Sequence, residues 1–208
     1  MNEHHDVLRF RAPHQHHRVT FVELFFDLVF VFAITQLSHT LMEHFTFAEA
    51  GATLVLLFAV WCTWIYTTWA TNWLNPENYQ VRLLLFALML AGLLLSSSIP
   101  KAFEERGLAF AGAYVFMEIV RTAFVHWAFR HQPAQHLNFR RILIWIIFSS
   151  IFWLAGGFAQ GNTRLLLWIA AVTIEFLSPL IRFWTPFLGA SAISDWEVEG
   201  SHMAERCG

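Results

Sequence analysis

Charge is what this chain has least of. Asp, Glu, Lys and Arg make up 13% of its 208 residues, about half of the ~25% in an ordinary soluble domain. A soluble fold this short must turn much of its surface to water, and a composition that is 57% hydrophobic cannot cover that surface. A water-soluble globular enzyme is excluded on that count, and so is a disordered chain. The net charge of −2, with histidine neutral, gives no reason to expect nucleic acid as a partner. Cysteine is nearly absent: Cys62 lies inside an apolar run and Cys207 is next to last, which makes neither a disulfide framework nor a metal motif. The first 18 residues, MNEHHDVLRFRAPHQHHR, lack the apolar core of a cleavable signal peptide.

What the chain does have is long apolar runs. A helix needs ~20 mostly apolar residues to cross the hydrocarbon core of a bilayer. Six stretches meet or approach that length: 19–41, 50–69, 81–99, 108–129, 142–158 and 165–188. They are unbroken and do not alternate, so helices are expected and strands are not. The fold class is therefore all-α, a polytopic bundle of about six transmembrane helices, with the lipid bilayer as its first partner. The breaks are turn-forming or charged: Asn75-Pro76-Glu77-Asn78, Pro100 with the charged residues 101–106, residues 130–141 with Pro133 and two histidines, and Gln160-Gly161-Asn162. The fifth span is the shortest, and Gly156-Gly157 is expected to fray its end. Residues 1–18 form a polar tail and 189–208 a second one. A homo-oligomer is compatible with this organisation.

Orientation follows from Lys and Arg outside the spans or at their edges. Arg9, Arg11, Arg18, Arg82, Arg130, Arg140, Arg141 and Arg206 fall on one side, against Lys101, Arg106 and Arg164 on the other. Six spans put both termini on one side, so the N-terminus is expected to be cytoplasmic, in a cell membrane. The tail also carries His4, His5, His14, His16 and His17. Metal binding and simple solvation both fit such a run, whose evidence is only compositional.

Six charged residues lie within the spans, where each costs ~2.5–3.5 kcal/mol on insertion scales. In the first span Glu23 and Asp27 are four apart and share a helix face. At 1.5 Å per residue they lie roughly 6 and 12 Å inside. Two carboxylates so close repel, which favours retention of a proton on one. A proton or cation site and a bonded, purely packing pair both fit. In the fourth span Glu118 and Arg121 are three apart and can pair, with Tyr114 and Thr122 on the same polar side. In the sixth, Glu175 and Arg182 are two turns apart on one face, with Ser178 between them. Pro179 removes a backbone donor to the Glu175 carbonyl, and a kink there would open backbone beside both charges. Four acids against two arginines cannot all be neutralised by pairing. The second span, VWCTWIYTTWATNWL, sets Trp61, Trp64, Trp69 and Trp73 among threonines. An interfacial aromatic belt and an aromatic-lined cation path both match it.

The run from Arg18 to Ile34, RVTFVELFFDLVFVFAI, closely resembles the start of the bacterial low temperature requirement protein A family, and Thr35-Gln36-Leu37-Ser38-His39 extends it. The tryptophan-rich second span and the closing EGSHMAERCG are also similar to that family. The resemblance implies a polytopic membrane protein named for a growth defect in the cold, with members about twice as long as this chain. This chain therefore looks like an N-terminal half. A shorter run, FFDLVFVFAIT from Phe25 to Thr35, resembles the first-helix motif of prokaryotic relatives of the lysosomal potassium channel. Those proteins also use six spans per repeat, with the first helix lining the pore. Phe26 stands where that family has serine, Leu28 where it has a small residue, and the preceding basic residue, Arg18, lies further upstream.

Two functions follow as expectations. One is a transporter or channel for a small cation, proton or solute, with Glu23 and Asp27 as the acidic site and Glu118, Arg121, Glu175 and Arg182 as gating or binding groups. The other is a non-transporting membrane protein that supports the envelope in the cold, its charge pairs holding helices together. An enzyme is not expected. His39 and His126 are the only histidines in the spans and lack spaced partners, and neither a phosphate loop nor a metalloprotease-type His-Glu pattern is present. No cofactor and no metal centre are expected.

Overall fold

The computed structural model describes residues 7–8, 21–43 and 46–191, with side chains in the first helix described from Leu24 onward. The described residues hold six α-helices: α1 (Phe21–Glu43), α2 (Phe47–Trp73), α3 (Tyr79–Ser98), α4 (Gly107–Ala128), α5 (Pro133–Phe158) and α6 (Gly161–Leu180). Each is long and apolar enough to cross a membrane. The protein is a multi-pass membrane helix bundle. Its outward surface is apolar, with Phe25, Leu28, Leu90, Ile151 and Leu180 all exposed, as expected where the surrounding solvent is hydrocarbon. Several hydroxyls in the spans bond to their own helix: Thr35 to the Val31 carbonyl, Ser96 to Gly92 and Thr173 to Ile169.

Neighbouring helices run in the order α1, α3, α4, α5, α6, α2 and back to α1, with α2 also reaching across to α4. Helix α2 is thus a wall of the ring that also touches the helix across from it. Local signals set the helix ends. The Thr46 hydroxyl accepts from the Glu49 amide to cap α2, and the Asn78 side chain accepts from the Gln80 amide to cap α3. At the far end of α2, the Asn75 amide donates to the Val7 carbonyl, which ties the N-terminal segment to the α2–α3 turn. In the α3–α4 loop the hydrogen bond from Lys101 holds the Glu105 carboxyl below its usual range.

Three expectations need correction. The fifth helix is not the shortest. It spans 26 residues and starts at Pro133, inside the expected 130–141 loop, because proline at the first helical position costs no hydrogen bond. Its first turns pack inward through Asn138, Phe139 and Arg141. Gly156 and Gly157 do not fray its end. A Cβ on Gly156 would run into the Trp168 ring and one on Gly157 would press on the Leu108 backbone, so the glycines permit close approach of α5 to α6 and α4. His126 does have a partner: its ring stacks on His136 at 3.8 Å, and each Nδ1 donates to the other residue's carbonyl across the α4–α5 turn.

Arg164, expected in a loop and counted toward orientation, lies in the first turn of α6 and is buried. It donates to the carbonyls of Ala102, Glu104, Gly156 and Ala159, tying one end of α6 to the α3–α4 loop and the end of α5. Gly107 lies against this guanidinium, and a Cβ there would come within 2.6 Å of Nη1 and 2.8 Å of Nε. A free arginine tip would swing aside, but this one is held by four carbonyls. Gly107→Ala is therefore expected to destabilise the protein by about 1–3 kcal/mol, read as a lower unfolding temperature in detergent. An unchanged unfolding temperature would show that the staple yields at no cost.

Candidate functional site

The polar centre of the bundle is built from α2, α4, α5 and α6. Glu118 lies near the middle of α4, roughly 16 Å from its first residue at 1.5 Å per residue. It forms a two-pronged ion pair with Arg121 one turn on, both side chains being buried. The Arg121 guanidinium also donates to the Thr67 hydroxyl at 3.2 Å and toward the Thr63 carbonyl at 3.4 Å, and sits over the Tyr66 ring. Its charge is therefore fully engaged between α4 and α2.

Glu175 of α6 is held differently. Its carboxylate accepts hydrogen bonds from the Tyr114 hydroxyl at 2.6 Å, the Ser149 hydroxyl at 2.8 Å and the Trp153 indole at 3.0 Å. All three donors are neutral. Among the described residues no cation pairs with it, while the like charge of Glu118 lies close enough to act on it. One of the two central carboxylates is thus neutralised and the other is only solvated by dipoles. The surrounding aromatics make this pocket rigid: Tyr114 and Trp153 pack at 4.5 Å between ring centres, and the buried Trp168 indole donates to the Trp153 carbonyl.

The expected face shared by Glu175 and Arg182 does not form. Helix α6 ends at Leu180, one residue after Pro179, and Arg182 follows in a left-handed conformation at φ 53°. Proline thus stands in the last turn of the helix, which stops just after it. Phe183 is also left-handed, and its amide caps the helix by donating to the Ser178 carbonyl. The segment 181–191 then folds back under α5. Arg141 holds its Leu188 carbonyl and the Trp145 indole holds its Trp184 carbonyl at 3.0 Å. Between this segment and helices α2, α4 and α5 lies a cavity of about 420 Å³, lined in part by Tyr66, Arg121, Thr122, Ile146, Arg182 and Ser191.

The first-span acids are set apart from this centre. The Glu23 side chain, the tail histidines and Cys207 lie outside the described residues. Asp27 is half-buried on the α1 side of α2 and accepts from the Trp64 indole at 2.9 Å. It opens on a groove of about 630 Å³ between α1 and α2, with Ser38, His39, Trp61 and Trp64 also in its walls. The tryptophans therefore divide. Trp64 binds the carboxylate, whereas Trp69 packs on Phe139 and Trp73 on Phe129 near the α2 terminus. Of the six sequence-derived residues, the structure brings Glu118, Arg121 and Glu175 together, and places Arg182 on the cavity below them.

Sequence reasoning passed over Ser149 and Trp153. A signal was present: they stand four apart within an apolar span, and so on one helix face, with both side chains capable of donating. Arg141 and Arg164 were counted only as loop charge, since nothing local distinguishes a buried arginine from a solvated one at the end of a helix.

Comparison with known proteins adds the following. The family described as bacterial low temperature requirement A protein matches residues 18–208. An uncharacterized protein of Rhizobium meliloti (strain 1021) is 43% identical over 190 residues, which is 91% of this chain and 46% of that relative. The chain thus spans about half the length of the curated relative it matches. No solved structure matches.

Proposed function

The chain belongs to the bacterial low temperature requirement A family, and from that footing we propose that it carries protons or a small cation across the bacterial inner membrane, with Glu175 as the exchanging group. One observation carries the reading: among the described residues Glu175 has three neutral donors and no cation, while Glu118 is already matched by Arg121. An ionisable side chain in a span is by default a candidate functional site, and an acid without a basic partner is the one free to take and release a proton or a cation. Asp27 is the second carboxylate in this reading, reached through the α1–α2 groove. The Glu118–Arg121 pair holds α4 in register against α2.

The test is flux from reconstituted protein. Liposomes containing the purified chain, loaded with a pH-sensitive dye and challenged with a potassium gradient, are expected to change internal pH or potassium content faster than empty ones. Flux equal to that of empty liposomes for protons, sodium and potassium alike would overturn the reading. It would leave the second one, a non-transporting protein that supports the envelope in the cold. The saturation of Glu175 by donors on α4 and α5 favours that alternative, since such bonds also fasten helices together.

A further inference from the structure

The cavity beneath the central ion pair has chemistry of its own. Among the described residues, the charged ones in its wall are Arg121 and Arg182, and none in the wall is acidic. Glu118 already matches Arg121, so the uncompensated charge there is that of Arg182, which pairs with no carboxylate among the described residues. Ser191 also lines the cavity and is buried, and its hydroxyl has no hydrogen-bond partner among the described residues. A buried polar atom left unsatisfied is uncommon in a folded protein. The Tyr66 and Thr122 side chains add further hydroxyls, and the rest of the wall is apolar, with Ile142 and Ile146 among it.

The backbone places Arg182 here at a cost. Arg182 and Phe183 are consecutive non-glycine residues with positive φ, a combination that persists only where surrounding contacts enforce it. The Arg182 amide donates to the Pro179 carbonyl, and its own carbonyl accepts from the Ser191 amide at 3.0 Å, so the cation and the unsatisfied hydroxyl are tied to the same short loop.

We propose that this cavity binds a single-chain anionic amphiphile, with a carboxylate-type head at Arg182 and Ser191 and an apolar chain along α5. Charge complementarity sets the sign of the head, and the apolar wall calls for the chain. The volume of about 420 Å³ lies low in the ~300–1,000 Å³ range of small-molecule sites and suits one chain, not the two of a phospholipid. The site is independent of proton exchange at Glu175, since Arg182 is not among the partners of that carboxylate.

The test is tryptophan quenching by a brominated dodecanoate, with the protein in phosphatidylcholine nanodiscs; Trp69 lies in the cavity wall. Saturable quenching, competed by plain dodecanoate and not by acetate, is the expected result. Arg182 is exposed, so Arg182→Gln should fold normally while weakening binding about tenfold or more, the loss expected for a charge-assisted head-group contact. Arg182→Lys should retain most of the affinity. A brominated dodecyltrimethylammonium should show only the unsaturable background of bilayer partitioning. Equal affinity in Arg182→Gln, or saturable binding of the trimethylammonium probe, overturns the proposal. A saturable signal from brominated phosphatidylglycerol with none from dodecanoate overturns it too, because the occupant would then be a two-chain lipid.

Discussion

Replacing Glu175 with glutamine is expected to reduce flux in reconstituted liposomes to the level of empty ones while leaving the protein folded. Glutamine has the shape of the glutamate side chain. Its carbonyl oxygen can accept from Ser149 and Trp153, and its amide can donate to the Tyr114 oxygen, so the hydrogen bonds that join α4, α5 and α6 have replacements. Stability should change by about 1 kcal/mol or less, the net worth of one such bond. What glutamine cannot do is take up or release a proton, or present a full negative charge to a cation. Loss of flux with an unchanged unfolding temperature therefore isolates ionisation as the property that matters. Glu175→Leu, which removes every acceptor, is the control for helix fastening and should lower the unfolding temperature. If Glu175→Gln retains wild-type flux, the carboxylate is not the exchanging group, and Asp27 becomes the residue to vary.

Glu118→Leu should act in the opposite way, chiefly on stability. Removing the carboxylate leaves the Arg121 guanidinium buried with only Thr67, the Thr63 carbonyl and the Tyr66 ring around it among the described residues. An uncompensated buried charge of this kind costs about 3–5 kcal/mol. Removing both charges together, as in Glu118→Leu with Arg121→Met, should recover most of the loss, since replacing a buried pair with apolar groups of similar volume is often neutral. Detergent unfolding of the four proteins in a double-mutant cycle gives the coupling directly. Additive losses would mean that the two side chains do not act as a pair. The contrast between Glu118 and Glu175 is the useful feature: two carboxylates share one polar centre, one serving the fold and the other left free for chemistry.

The bundle itself was legible because a bilayer leaves the backbone few choices. A run of about 20 apolar residues must satisfy its amides internally, and a helix does so. Expected and observed spans therefore agree in number and position. They part at the ends, where apolar content no longer decides. Pro133 starts α5 well before the apolar run does, and Pro179 ends α6 well before its run is over. Polar residues such as Asn138 and Arg141 belong to a helix once another segment covers them. The 181–191 loop is that segment, and no local pattern announces it.

The candidate residues divide along the same line. The Glu118–Arg121 pair was readable because both partners lie on one helix, three residues apart, and helix geometry brings them together. Glu175 with Arg182 followed the same rule and failed, because the rule holds only while the helix continues. Thus the sequence alone determined the class of protein, the number of spans and which six charges enter the apolar runs, since those depend on chain length against bilayer thickness and on the cost of burying charge. Only the tertiary structure decided which acid is neutralised and which is not. That depends on donors from α4 and α5 meeting α6, and on Arg182 being turned away into a cavity of its own. Such contacts between helices far apart in sequence come from packing, which hydrophobic patterning along one chain does not specify.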